Sequence, residues 1–251
     1  MKIIRILLVG LGLNLLGACS ETELDPNDPK KSFGIAKEPY DDRRFEDAIR
    51  RLSEFKSRFP YSQFTPESEL LIADSQFQMD RFQEAAASYD TFIKLHPKHP
   101  KVDFAMFRVG ESYWNDAPEA PSREQEYTEK AVKQWKDLLE RFPKSEFAGQ
   151  AKDYSEQGVR RLAESIRFVA RFYCKQEIWH SCAFRYIQLL ERYPQYKDMS
   201  AEALEGAASA LEKVADLKEK SPESDKNLFH RSMTAAQIRE KAANLRKIQK
   251  S

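Results

Sequence analysis

From Arg44 onward, apolar and polar positions follow a helical period, and the same pattern returns four times. Phe45, Ala48, Leu52, Phe55, Phe59 and Pro60 form the first copy. The second is Phe82, Ala85, Tyr89, Phe92, His96 and Pro97; the third is Thr128, Ala131, Trp135, Leu138, Phe142 and Pro143; the fourth is Trp179, Cys182, Tyr186, Leu189, Tyr193 and Pro194. The copies lie 37, 46 and 51 positions apart, while the internal spacing holds. Offsets of three, four and seven put these side chains on one stripe of a helix. The small residue lets a neighbouring helix approach closely, and the large residues fill the space around it. Proline cannot continue a helix, so each copy ends in a turn.

Between these units lie partner helices, such as Pro66 to Gln78 with Leu70, Leu71, Ala73 and Phe77. One helix pair cannot bury its apolar stripe alone, but stacked pairs can. Pairs with a period somewhat above 34 residues read as tetratricopeptide (TPR) repeats. The expected fold is therefore an all-α, TPR-type solenoid of about five helix pairs. The extra length of the third copy falls in the polar stretch 116–126, where an insertion costs little. Ser145 to Phe172 reads as one long helix, and the fifth pair as Ser200 to Leu217 with Asn227 to Ser251. Pro39 predicts a short or kinked first helix.

The N-terminus adds an address. Lys2 and Arg5 precede the apolar run Ile6 to Leu16, too short for a standard spanning helix. It ends Leu16-Gly17-Ala18-Cys19, which resembles the lipobox cut by the bacterial lipoprotein signal peptidase. Residues 1–18 are thus expected to be a lipoprotein signal peptide, with Cys19 carrying fatty acyl chains such as palmitate. Residues 19–31 are expected to form a polar tether reaching up to roughly 40 Å, and residues 32–251 the repeat domain. Ser20 after the cysteine leans toward the outer membrane. With 41 Lys and Arg against 40 Asp and Glu, the chain lacks the basic excess of nucleic-acid binders.

Several segments are more specific than a general TPR consensus. They are Arg58-Phe59-Pro60-Tyr61-Ser62, Leu95-His96-Pro97-Lys98-His99-Pro100 with Asp103, Arg123-Glu124-Gln125 running to Arg141-Phe142-Pro143, and Phe172-Tyr173 to Ala183-Phe184-Arg185-Tyr186, closing at Arg192-Tyr193-Pro194. Together with the lipobox they resemble the BamD family, the lipoprotein TPR subunit of the outer-membrane β-barrel assembly (BAM) complex. The resemblance implies a lipid-anchored arm on the periplasmic face of the outer membrane. Its implied partners are a BamA-like barrel subunit, other assembly lipoproteins and incoming unfolded outer-membrane proteins. It also implies partner contact at Arg185 and Arg192. Glu177 departs from the family at a turn where glycine is common, and Cys182 stands in place of alanine. A second reading with the same fold and anchor is a periplasmic lipoprotein that scaffolds peptidoglycan enzymes.

The candidate chemistry is binding rather than catalysis. No nucleophile–base cluster, cofactor motif or metal-ligand spacing emerges, and His96 and His99 flank a proline in a turn, where packing or capping is expected. The first helices of the pairs should line a mixed acidic and aromatic groove made by Glu67, Asp74, Gln78, Phe104 and Glu111, with Tyr61 and Phe64 nearby. Such a groove suits an extended peptide. Cys174 and Cys182 lie eight apart across a helix–helix turn in an oxidising compartment, which leaves two readings, a disulfide or two buried small residues. The last helix carries Arg239, Lys241, Arg246, Lys247 and Lys250, either as a solvated end or as a partner or lipid-headgroup patch.

Overall fold

A computed structural model describes residues 23–220 and 232–250, and every regular element among them is a helix. In chain order these are α1 (Pro29–Asp41), α2 (Phe45–Arg58), α3 (Thr65–Gln78), α4 (Phe82–Leu95), α5 (Val102–Asp116), α6 (Glu126–Arg141), α7 (Ala148–Lys175), α8 (Trp179–Arg192), α9 (Lys197–Lys220) and α10 (Ala235–Lys250). Each helix packs chiefly on its sequence neighbours, so five antiparallel pairs stack as a TPR-type array. The small residues of the four motif copies, Ala48, Ala85, Ala131 and Cys182, are all fully buried, as are Leu52, Tyr89 and Trp135.

Two kinds of turn alternate along the array. At the end of each second helix, Phe59, His96, Phe142 and Tyr193 leave the helical region with φ of −126°, −126°, −132° and −134°. Each precedes a proline, whose ring excludes helical backbone at the residue before it. Within pairs, the turns close on Arg43, Asp80 and Glu177, with φ of 59°, 57° and 57°. At each, the next residue's N–H reaches back to the carbonyl five before it, as in Ile178 to Tyr173 at 2.9 Å. These are Schellman stops, where glycine is the least strained occupant. Glu177→Gly is expected to raise stability by about 1 kcal/mol, shifting the melting temperature by roughly 2–4 °C, with Glu177→Ala giving no gain in the same thermal melt.

The described helices agree with the expected ones except at the two ends. Residues 23–31, the described part of the segment assigned to a tether, pack onto the first pair. Leu24 is 2% exposed and sits in the first core with Phe33, Ala36, Ala48, Leu52 and Phe55. Its carbonyl accepts from Arg58 Nη1 at 2.8 Å, and Ser32 Oγ donates to the Asp25 carbonyl at 2.7 Å. Asp28 then caps α1 by accepting from the Lys31 N–H at 2.9 Å. Burial of one leucine and these bonds explain the difference, because they outweigh the polar composition of the stretch. Pro39 is accommodated in the last turn of α1, which continues to Asp41.

At the other end, α10 starts at Ala235 rather than Asn227, and residues 227–231 and His230 with them lie outside the described part. Thr234 and Gln237 cap this start reciprocally, the Thr234 N–H donating to Gln237 Oε1 at 2.8 Å and the Gln237 N–H to Thr234 Oγ1 at 3.2 Å. Two of its basic residues turn inward along α9. Arg239 Nη2 pairs with Asp216 at 2.8 Å, and Arg246 Nη2 with Glu205 at 2.9 Å. The Arg246 guanidinium and the Ser209 hydroxyl hold the Glu205 carboxyl down at about 2. Between α5 and α6, the buried Gln125 side chain gathers the insertion by donating to the carbonyls of Ala120, Arg123 and Pro118. Cys174 and Cys182 are joined as a disulfide across the α7–α8 turn, with Cα atoms 5.0 Å apart.

Candidate functional site

Three successive first helices contribute to one cavity of about 250 Å³. Glu67, Leu70, Leu71 and Asp74 come from α3, Lys101, Asp103 and Phe104 from the start of α5, and Glu146 and Phe147 from the entry to α7. Phe104 and Phe147 meet at 5.6 Å between ring centroids, and Phe147 stacks on Phe107 at 5.2 Å. This makes an aromatic floor under a mainly acidic rim. Ser145 Oγ donates to Asp103 at 2.6 Å, which fixes the α6–α7 turn against α5.

A charged network lies beside the cavity and was not read from the sequence. Arg108 Nη2 donates to Asp74 Oδ1 at 3.0 Å, Nη1 to Glu111 Oε2 at 3.1 Å and Nε to Tyr89 OH at 3.3 Å. Tyr89 in turn donates to Asp74 in a short hydrogen bond. The guanidinium lies 3.8 Å from the centroid of the Phe77 ring. Burial and the adjacent Asp74 charge both push the Tyr89 hydroxyl well up, and the same causes raise Tyr40 from α1. Burial works against the Arg108 charge, yet Tyr89 and Asp74 hold its pKa above the ordinary value. Burial raises the Glu111 carboxyl despite the opposing pull of Arg108. Phe104, Arg108 and Glu111 share one helical stripe, so the signal lay in the sequence; Asp74 and Tyr89 come from two other helices.

Of the residues assigned to a peptide groove, Glu67, Asp74 and Phe104 line one cavity, and Glu111 joins them through Arg108. The Asp74 and Glu111 charges are largely engaged by Arg108, which makes the groove less acidic than composition suggested. Phe64 stacks on Phe33 at 5.1 Å, serving the first core instead of the groove. It lies immediately before α3, on the side turned to α1. Gln78 is exposed at the last position of α3, outside the cavity lining. Tyr61 is 100% exposed in the α2–α3 turn, also outside that lining. Tyr61 sits in the loop before α3 and Gln78 at its last turn, so neither lies on the stretch of α3 that lines the cavity.

The two partner-contact candidates lie on α8. Arg185 is half-buried, donates from Nη1 to Gln188 Oε1 at 2.9 Å and lies 5.9 Å from the ring of exposed Phe184. Arg192 is exposed at the end of the same helix. His96 Nε2 faces Glu69 Oε2 at 2.7 Å, and His99 packs edge-on against Phe92 at 5.1 Å. Among the described residues, no three His, Cys, Asp or Glu side chains group as metal ligands, and no helix is long and apolar enough to cross a membrane.

The family model described as YfiO, outer membrane lipoprotein, matches residues 25–228. The chain belongs to this family. Within the YfiO family it is similar to the outer membrane protein assembly factor BamD of Neisseria meningitidis serogroup B, 26% identical over 83% of this chain and 85% of that protein. It is similar likewise to the BamD of Vibrio cholerae, 25% identical over 84% of this chain and 96% of that protein. Among solved structures, the TPR2AB domain of yeast Sti1 in its pHSP90 complex is similar at 14% identity and a TM-score of 0.44, covering 87% of this chain and 84% of that one.

Proposed function

We propose that this protein is an outer-membrane protein assembly factor, a lipid-anchored TPR subunit of a β-barrel assembly machine. The observation that carries the reading is the YfiO family match across residues 25–228, together with relatives named as assembly factors over most of their length. Cys19 supplies the anchor, on the periplasmic face of the outer membrane. The array acts by holding polypeptides, without chemistry of its own.

Two surfaces divide the work. The cavity over Phe104 and Phe147 receives extended segments of incoming outer-membrane proteins, its aromatic floor taking an apolar side chain and Glu67 its polar neighbours. The α8 face, with Arg185 beside exposed Phe184 and Arg192 beyond it, contacts the barrel subunit. An arginine next to an exposed aromatic is the composition that dominates protein interfaces. Co-purification from solubilised outer membranes tests the assignment. The mature protein is expected to bring down a barrel subunit bearing periplasmic domains, and Arg185→Glu to weaken that capture at least about tenfold. Recovery of peptidoglycan enzymes in place of a barrel subunit would establish the scaffold reading.

A further inference from the structure

From residue 160 onward α7 carries four arginines, Arg160, Arg161, Arg167 and Arg171. Arg160 pairs with Asp198 at 2.7 Å and with Glu164 at 3.2 Å, and Arg171 pairs with Glu202. Arg167 acts on the same two acids of α9, helping to hold the Asp198 and Glu202 carboxyls below their ordinary range. Arg161 turns the other way. Its guanidinium lies 3.8 Å from the centroid of the Trp114 ring, in the last turn of α5.

Among the described residues Arg161 makes no hydrogen bond and no ion pair, and its Nη1 is buried without a partner. Burial pulls its pKa below the ordinary value, against the opposing charges of Glu119 and Glu164. Glu164 is already engaged by Arg160, and Glu119 is exposed in the α5–α6 loop. Folded proteins leave few buried polar groups unsatisfied. A guanidinium that has given up water without gaining an acceptor is costly, and stacking on an indole offsets only part of that cost. A ligand that supplies the missing acceptor removes the rest. A carboxylate suits it best, because it accepts from two parallel N–H groups at once and brings the opposite charge.

The surface beside Arg161 shows what kind of molecule would bring the carboxylate. Ser165, Phe168 and Phe172 follow it at offsets of four, seven and eleven, on one stripe of α7. Ser165 Oγ donates to the Pro121 carbonyl at 2.9 Å, which pins the α5–α6 loop beside this stripe. Phe168 and Phe172 are 45% and 51% exposed. Phe168 lies roughly 10 Å along the helix from Arg161, a span that about three residues of extended chain cover. We propose that Arg161 binds a carboxylate of a polypeptide held in extended form, with Phe168 taking an apolar side chain about three residues away. The carboxylate belongs to a side chain or to the end of the chain, since both present the same acceptor. The inference rests on the reading that the array holds polypeptides. It adds a contact on α7 outside the cavity over Phe104.

Calorimetric titration of the whole protein with short N-acetylated peptides of Gly and Ser tests this. The first peptide carries Phe about three residues before a free C-terminal carboxylate, and the second is its C-terminal amide. The third is the amide with an internal Asp at the same distance from Phe. An acidic peptide is expected to bind about tenfold or more tightly than the neutral amide, the scale of hydrogen bonds to a charged group. Which of the two acidic peptides gains tells a chain end from a side chain. Arg161→Gln should erase the gain and Arg161→Lys should keep part of it, while Phe168→Ser should weaken every peptide and preserve the ratio. Equal affinities of the acidic and neutral peptides for the unaltered protein would overturn the inference, whether or not the variants fold. A gain that survives Arg161→Gln would do the same. Capture of an unfolded outer-membrane protein with no binding of any peptide would sink this inference alone; if that protein is not captured either, the polypeptide-holding reading falls with it.

Discussion

Replacing Arg108 by alanine is expected to destabilise the central pairs by about 3 kcal/mol, the lower end for a broken buried ion pair. Arg108 and Asp74 each keep only 15% of side-chain exposure, and Glu111 keeps 22%. Removing the guanidinium leaves two carboxylates and the Tyr89 hydroxyl in a space that water reaches poorly, and it strips the cation from the Phe77 ring. Lysine should recover little, because one ammonium cannot reproduce three directed donors. The loss should also acquire a pH dependence. Burial already raises the folded-state pKa of Glu111 above its unfolded value, and Arg108 is the group that opposes this. Without Arg108 the folded carboxyl binds its proton more tightly still. The variant's deficit is then largest above that raised pKa and shrinks as pH falls toward the ordinary carboxylate value. A urea midpoint that shows no loss at neutral pH, or a deficit that grows on acidification, would contradict this account.

Trp135→Ala should cost about 3–5 kcal/mol, the range for truncating a large core aromatic. Trp135 is fully buried on α6, stacks on Tyr154 at 5.2 Å and meets Trp114 at 5.9 Å. Its indole N–H donates to the Phe107 carbonyl at 3.3 Å. The ring fits because Gly110 has no side chain: a Cβ there would fall 2.3 Å from Trp135 Nε1. Gly110→Ala is thus expected to lose about 1–3 kcal/mol by overpacking. Combining Gly110→Ala with Trp135→Phe should lose less than the sum of the two, since the smaller ring vacates the space that the methyl needs. Chemical unfolding of the three variants measures the coupling; strict additivity would mean that the two residues do not share this contact.

Much of the array was legible because each helix is coded locally. Ala85, Tyr89 and Phe92 stand on one stripe by spacing alone, and Pro97 ends it by its covalent structure. The Thr234–Gln237 cap was equally visible as Thr-x-x-Gln, and it sets the described start of α10 at Ala235. The groove was legible only in part. Glu67, Asp74 and Phe104 follow from which helix faces inward, whereas Phe64 and Tyr61 belong to a loop, whose side-chain directions no period sets. Arg108 could be seen as a neighbour of Phe104 and Glu111, but nothing in the order of residues paired it with Asp74, which is 34 positions away.

By itself, the sequence determined the repeat, the helix boundaries at prolines and the buried small residues. Those features depend on interactions within a turn or two of one helix, so composition and spacing suffice. Only the tertiary structure decided that Leu24 is clamped by Arg58, that Arg239 and Arg246 face the acids of α9, and that Asp74 is held by Arg108. Each of these is a contact between distant segments, set by how far apart the stacked helices sit and which way they are turned. Linear order does not carry that information.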